Sequence, residues 1–297
     1  MKSVRRQKRR NAKKGKTVFP FIRVLLVFLF LSAVYLFVVL TTKFWNGEDK
    51  LSFVYFRDNG DVSVTVLDPE LEETTVLIIP GETEVDVARN YGTLRLKNVW
   101  QLGINEKLDG NLLSQTVTKN FLFPVFLWSD TDIGSLKFVF FPGRTNIPFG
   151  DRLSVALFAM KVGNLSRVEI NLAESQFLRR QVLSDGQLGY KINGNISERL
   201  TVYFADNVLS GENLKIYIRD TTGVFGVSEK VGEILEVAGG KVVTIDRGGT
   251  TEVDCEILAK NPSVAKKVAK LFTCTVIKDK TDFDLEVRLG KKFAERF

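Results

Sequence analysis

The 297-residue chain contains no histidine, and only two cysteines, two methionines and seven prolines. Without histidine there is no Ser-His-Asp triad, no imidazole general base and no histidine-bearing zinc site. Two cysteines, Cys255 and Cys274, exclude a disulfide scaffold. They allow one bridge in an oxidising compartment, and sequence alone leaves the bridged and free forms open. Acidic residues are absent from residues 1–23, which carry ten lysines and arginines. Subtracting those ten from 42 leaves 32 basic residues against 35 acidic ones, so the formal charge of +7 belongs to the N-terminus. The remainder is mildly acidic, which excludes a general nucleic-acid footprint there.

What the N-terminus does have is a long apolar run. Val24 to Leu40 is seventeen residues without a charge, and Thr41 and Thr42 extend it to nineteen. A helix of that length spans roughly 28 Å, close to the hydrocarbon thickness of a bilayer. Lys43 and Trp45 stand at its far end, where interfacial anchors belong. No small-residue cleavage pattern follows, so residues 24–42 are predicted to be an uncleaved transmembrane signal anchor. The positive-inside rule then places residues 1–23 as a basic tail in the cytoplasm and residues 44–297 outside a single-pass cytoplasmic membrane. Attraction to anionic lipid accounts for the basic run, and nucleic acid is not an expected partner.

Beyond the anchor the pattern is α/β with mixed sheets, in two exported domains at 48–208 and 212–297. Leu51–Phe56 and the alternating Asp61–Leu67 read as strands around the turn signal Asp58-Asn59-Gly60. Thr74–Ile79 is a third strand, stopped by Pro80-Gly81. Residues 106–121 are predicted helical, with Leu108, Leu112, Leu113, Val117 and Phe121 on one face. Phe138–Phe141 reads as a strand, Leu153–Val162 as a helix and Val168–Leu172 as a strand; Gln176–Leu209 shows no decisive period. Ser210-Gly211-Glu212-Asn213 is a polar break between the domains. Leu214–Ile218 follows as a strand, then a helix through Val227, Val231, Leu235 and Ala238 closed by Gly239-Gly240. Strands at Lys241–Ile245 and Cys255–Leu258 precede a helix opened by Asn261-Pro262. Strands at Thr273–Ile277 and Phe283–Leu289 complete a layered α/β order. Asn164-Leu165-Ser166 and Asn195-Ile196-Ser197 fit the glycosylation sequon by pattern only.

Two resemblances attach to these residues. Residues 214–294 resemble the C-terminal domain of LytR-type bacterial cell-envelope proteins. A strand leads to Asp220-Thr221-Thr222-Gly223 where that family has an Asn-Gly-Thr-Gly-like turn, then a helix. Leu289-Gly290-Lys291-Lys292-Phe293 stands at the family's closing Leu-Gly strand end. Upstream, the chain resembles a degenerate LytR-CpsA-Psr domain. Asp61-Val62-Ser63-Val64-Thr65-Val66-Leu67-Asp68-Pro69 matches its Asp-bearing strand, Ile78-Ile79-Pro80-Gly81-Glu82-Thr83 its Ser-Ile-Pro-Arg-Asp strand end, and Tyr91-Gly92 through Lys97-Asn98 the stretch after it. Proteins of this family are similar in being signal-anchored and facing outward, and they transfer glycan polymers from a polyprenyl pyrophosphate carrier to peptidoglycan.

The departure at the motif is chemical. Where the family has arginine and aspartate, this chain has Gly81 and Glu82. Losing that guanidinium removes a bidentate clamp on a pyrophosphate. The preferred expectation is therefore a membrane-anchored cell-envelope module, non-catalytic, binding envelope glycan or a protein partner. The resemblance also implies an alternative, a divergent glycopolymer transferase acting on polyprenyl-pyrophosphate-linked glycan. Its catalytic residues would be Asp61, Glu82, Arg95 and Arg179, with Mg²⁺ held by Asp61 and Glu82. Without that activity no cofactor is expected. Arg95 and Lys97 are the candidate ligand-binding residues, weighed against an exposed strand face. A third expectation is a scaffold that binds proteins only. The three predict different surfaces: an apolar groove with converging acids and arginines, a shallow groove with exposed aromatics, for which Trp100 and Trp128 are candidates weighed against a core role, or an exposed apolar patch or free strand edge.

Overall fold

The computed structural model describes residues 18–132, 136–163, 166–194, 198–210 and 214–297. Most of the basic tail, both sequon cores and the break at 211–213 lie outside the described residues.

One compact unit comprises the N-terminal helix with residues 148–150. Helix α1, Val18–Thr42, carries no acidic residue in its first turn and no basic one in its last. Its side chains between Ile22 and Phe37 are exposed except for the half-buried Ser32, with Phe28, Phe30 and Phe37 each more than two-thirds exposed. Among the described residues no helix is long and apolar enough to cross a membrane. The side chains of residues 38–42, which complete the expected span, lie outside the described residues.

The second unit, Trp45–Ile147 with Asp151–Phe297, is α/β with three mixed sheets. Strands β1 (Leu51–Phe56), β2 (Val62–Asp68) and β3 (Glu73–Ile79) form an antiparallel meander. β4 (Thr83–Asp86) and β5 (Thr93–Arg95) follow, then helices α2 (Leu96–Asn105) and α3 (Gly110–Phe121). β6 (Leu127–Ser129) returns beside β1, helices α4 (Leu136–Phe140) and α5 (Phe149–Val162) intervene, and β7 (Arg167–Asn171) joins β3 in parallel. The first sheet thus has the order β6-β1-β2-β3-β7. β8 (Leu178–Val182) and β9 (Leu188–Ile192) make a hairpin completing the sheet β5-β4-β9-β8. Short helices α6 (Glu198–Phe204) and α7 (Asn207–Ser210) lead to the third sheet. It contains β10 (Lys215–Thr221), β11 (Lys241–Arg247), β12 (Cys255–Ala259), β13 (Thr275–Val276) and β14 (Leu285–Gly290), ordered β11-β10-β14-β12-β13. Helix α8 (Val227–Val237) connects β10 to β11, α9 (Pro262–Phe272) connects β12 to β13, and α10 (Lys291–Arg296) follows β14.

Two apolar clusters build this unit. The first gathers Val54, Val64 and Leu77 from the central sheet with Leu112, Val117 and Phe121 of α3. The second sets Ile216, Ile218 and Val287 against Val231, Leu235, Val264 and Val268. Leu122, in a left-handed conformation at the end of α3, packs against both. Near this junction the buried Asp206 carboxylate accepts from Lys267 Nζ on α9. Cys255 and Cys274 form a disulfide, with their Cα atoms 5.0 Å apart.

Several expectations change. β2 alternates in sequence yet is buried along its whole length: its valines face the first apolar cluster, and Ser63 and Thr65 lie on the opposite face beneath polar side chains such as Arg57, which donates to Ser63 Oγ. The predicted helix 106–121 starts four residues later. Leu108 and Asp109 N–H groups both donate to the Gly103 carbonyl, closing α2 and opening a tight turn before α3. Phe138–Phe141 falls in and just after a short helix rather than in a strand, with Phe138 and Val139 inward and Phe140 and Phe141 exposed. The described residues between 176 and 209 form the β8–β9 hairpin and two short helices. The expected strand at 273–277 shrinks to two residues because Thr273 is spent on the left-handed cap of α9. That helix begins as read, with the Asn261 side chain accepting from Ser263 N–H and Pro262 in the first turn.

Candidate functional site

The β1–β2 turn stands between two groups of polar side chains. The first contains the residues singled out by the motif. Asp61 is a turn lock: one carboxylate oxygen accepts from Gly81 N–H at 2.8 Å, the other from the Asn59 side-chain amide at 2.8 Å. Gly81 lies directly on the turn. A Cβ there would sit 2.2 Å from the Gly60 carbonyl oxygen and 3.0 Å from Lys97 Cβ. No side chain fits at 81 without moving backbone, so the arginine of the resembled motif has no room in this geometry.

Glu82 is held by cations. Its two carboxylate oxygens accept from Lys97 Nζ and from Arg95 Nη1. Lys97 sits in the first turn of α2, not on a strand face, while Arg95 ends β5. The other fork of Arg95 closes on Asp185, Nε to Oδ2 at 2.7 Å and Nη2 to Oδ1 at 2.9 Å. This bidentate pair pushes the Asp185 carboxyl down to about 2, helped by the Gln187 N–H. Lys97, and then Arg95 against the cost of burial, hold Glu82 below its ordinary value. Asp185, and then Glu82, raise the Arg95 guanidinium above its ordinary value. Arg179 stands elsewhere in that sheet. The register aligns Arg95, Glu84, Lys191 and Arg179 as one cross-strand row from β5 to β8. The structure thus brings Glu82, Arg95 and Lys97 together, ties Asp61 into the adjoining turn, and leaves Arg179 at the far edge.

A divalent cation does not suit this arrangement. The oxygens of Asp61 face N–H donors and those of Glu82 face an ammonium and a guanidinium, which occupy the places a metal would take. No cluster of three metal-ligating side chains occurs among the described residues. Arg95 and Lys97 are likewise already neutralised, so an incoming phosphate would have to displace carboxylates.

The second group is a polar cleft of about 380 Å³ on the opposite side of the turn. Its floor is the face of β1, β2, β3 and β7 that turns away from the first apolar cluster. Tyr55 pairs with Ser63, Thr65 with Val76, and Val76 with Glu169 across the strands. Arg57, Asp58 and Asn59 of the turn form one wall, and Asp132 and Arg167 complete the lining. Arg57 Nε donates to Ser63 Oγ at 3.1 Å, and Glu169 lies 3.1 Å from Arg167 and 4.0 Å from Arg57. Burial, reinforced by Asp132 and Asp58, raises the Tyr55 phenol above its usual value. Two cations and three acids share this lining, so it is no anion clamp. It offers fixed donors and acceptors at close spacing, the chemistry that holds polyhydroxylated ligands. Sequence reading treated Asp58-Asn59-Gly60 only as a turn. The missed signal was a charged Arg57-Asp58 pair at a strand end beside a turn.

The other candidates serve structure. Trp100 and Trp128 are 7% and 5% exposed and pack edge to face. Asp220 is buried at the turn before α8, where its carboxylate accepts from Thr222 N–H and Oγ1 and from Ser228 Oγ. Burial pushes that carboxyl up, yet those bonds outweigh it and leave it below the ordinary value. The helix start is thus already faced by an anion of the chain itself.

No protein-family model matches this chain, and neither does any curated protein. Solved structures similar to it include a LytR-CPS2A-Psr family protein. TagT of Bacillus subtilis is 13% identical, with 51% of this chain and 88% of that chain covered at a TM-score of 0.31. A LytR-CPS2A-Psr family protein, YwtF (TagT), with bound octaprenyl pyrophosphate lipid is 14% identical, covering 51% and 87% at 0.31. A transcriptional regulator from Enterococcus faecalis is 8% identical, covering 48% and 82% at 0.36. At these scores the overlaps carry no weight for the activity.

Proposed function

We propose that the chain is a membrane-anchored cell-envelope module that binds a glycan in the polar cleft and does not turn it over. The observation that carries this reading is the packing at Gly81. The turn occupies the place of the motif's arginine, and the neighbouring Arg95 and Lys97 are committed to Glu82 and Asp185. The resemblance to envelope proteins supports the class of ligand, and the mixed donors and acceptors of the cleft support hydroxyl recognition rather than phosphate capture. The all-round apolar surface of α1, together with the basic residues before it, supports an anchor with its N-terminus in the cytoplasm and residues 44–297 outside. The disulfide supports an oxidising, extracytoplasmic setting. The two apolar clusters support domains near 48–208 and 212–297.

The test titrates the full chain in detergent with soluble envelope glycan fragments by calorimetry. Binding is expected, weakened at least tenfold in Asp58→Ala and Arg167→Ala while Arg95→Ala leaves it unchanged. Loss of binding in Arg95→Ala with none in the cleft variants would move the site to the motif cluster and overturn the reading.

A further inference from the structure

We propose that the outer edge of β11 accepts an extended lysine- or arginine-rich peptide as an added strand. β11 ends its five-stranded sheet and pairs only with β10 among the described strands. Alternate backbone N–H and C=O groups of such a strand have no ladder partner and form a template for another chain. A register shift opposite Ile216 and Tyr217 leaves Val243 outside the ladder, 40% exposed in the middle of the edge.

Charge selects the occupant. A groove of about 340 Å³ runs between this edge and α8, with Val242 and Ile245 from the strand and Glu229, Glu233 and Glu236 from the helix. Glu229 is neutralised by Arg247. Glu233 and Glu236 are exposed and enter no ion pair among the described residues. Glu233 and Glu236 are three residues apart on one helix face, which puts their Cβ atoms about 5–6 Å apart, and alternate residues of a strand are roughly 6.7 Å apart. Long side chains at alternate positions on one face of an added strand would therefore reach both glutamates. A cation at every second position, with apolar residues between to cover Val243, fits both the charge and the repeat. A second copy of this edge fits poorly, because two-fold strand pairing would bring a second row of glutamates alongside the first.

The probe is a capped, fluorescein-labelled hexapeptide alternating lysine and valine, added to the full chain in detergent. Anisotropy should show saturable binding, and hydrogen exchange should slow at residues 241–247. Glu233→Gln with Glu236→Gln, both on an exposed helix face, should weaken binding at least tenfold. An analogue N-methylated at alternate residues keeps the charge but cannot extend the ladder, and should not bind. Several results would overturn the proposal: no binding, equal binding of the N-methylated peptide, equal binding of a glutamate-valine peptide, or protection at another edge. Sedimentation showing self-association through β11 without peptide would overturn it too.

Discussion

Replacing Gly81 by alanine tests the steric argument at its smallest scale. The added Cβ would lie 2.2 Å from the Gly60 carbonyl oxygen, 2.8 Å from its carbon and 3.0 Å from Lys97 Cβ. The first two are backbone atoms of a turn, so no rotamer change relieves them. Relief requires the turn to move by about 1 Å, since ordinary contact lies near 3.4 Å or beyond. That motion strains two bonds, Gly81 N–H to Asp61 Oδ1 at 2.8 Å and Lys97 N–H to the Gly81 carbonyl at 3.0 Å. Overpacking costs about 1–3 kcal/mol and a weakened bond to a carboxylate adds about 1 kcal/mol, giving a loss of roughly 2–4 kcal/mol. Urea unfolding followed by circular dichroism measures it. Gly249→Ala is the control, because nothing lies within 4 Å of a Cβ there and its expected effect is under about 0.5 kcal/mol. If Gly81→Ala proves as stable as that control, the turn yields easily, an arginine could be housed, and the steric case against catalysis fails.

Other expectations are independent of that one. Changing Cys255 and Cys274 together to serine opens a loop of sequence separation 19 and should cost about 3 kcal/mol in the same unfolding assay; an unchanged midpoint would contradict it. Lys267→Ala strands the buried Asp206 carboxylate and should cost about 3–5 kcal/mol, largely recovered by adding Asp206→Asn. The Asp185 carboxyl is depressed in the folded state, so its contribution is present above its unfolded value near 3.8 and disappears as pH falls through about 2. Carboxyl NMR titration should show that midpoint and its return toward 3.8 in Arg95→Ala.

Helices with caps were the most legible parts of this chain. Asn261-Pro262 and Gly239-Gly240 mark real ends because capping is local chemistry. The alternating strand 283–289 also reads correctly in its core, with Leu285, Val287 and Leu289 all fully buried. Burial on both faces of β2 was not legible, because Ser63 and Thr65 are hidden by cleft side chains such as Arg57 that only the sheet order brings over them. Residues 178–192 lacked a period because their hairpin is exposed along one face and crossed by arginines. Among the candidate site residues, Glu82, Arg95 and Lys97 do meet, through strand pairing of β4 with β5 and the helix that follows. Their mutual neutralisation depends on Asp185, ninety residues away from Arg95, which no local pattern announces. The cleft was missed for the same reason, since Arg57 and Arg167 are brought together only by the order of the sheet.

The most direct measurement presents the full chain in detergent with a polyprenyl pyrophosphate-linked glycan and Mg²⁺, following glycan binding and phosphate release together. Binding through the cleft with no release above the protein-free rate is the predicted result. Phosphate release that disappears in both Asp61→Ala and Arg95→Ala would contradict it and establish a transferase.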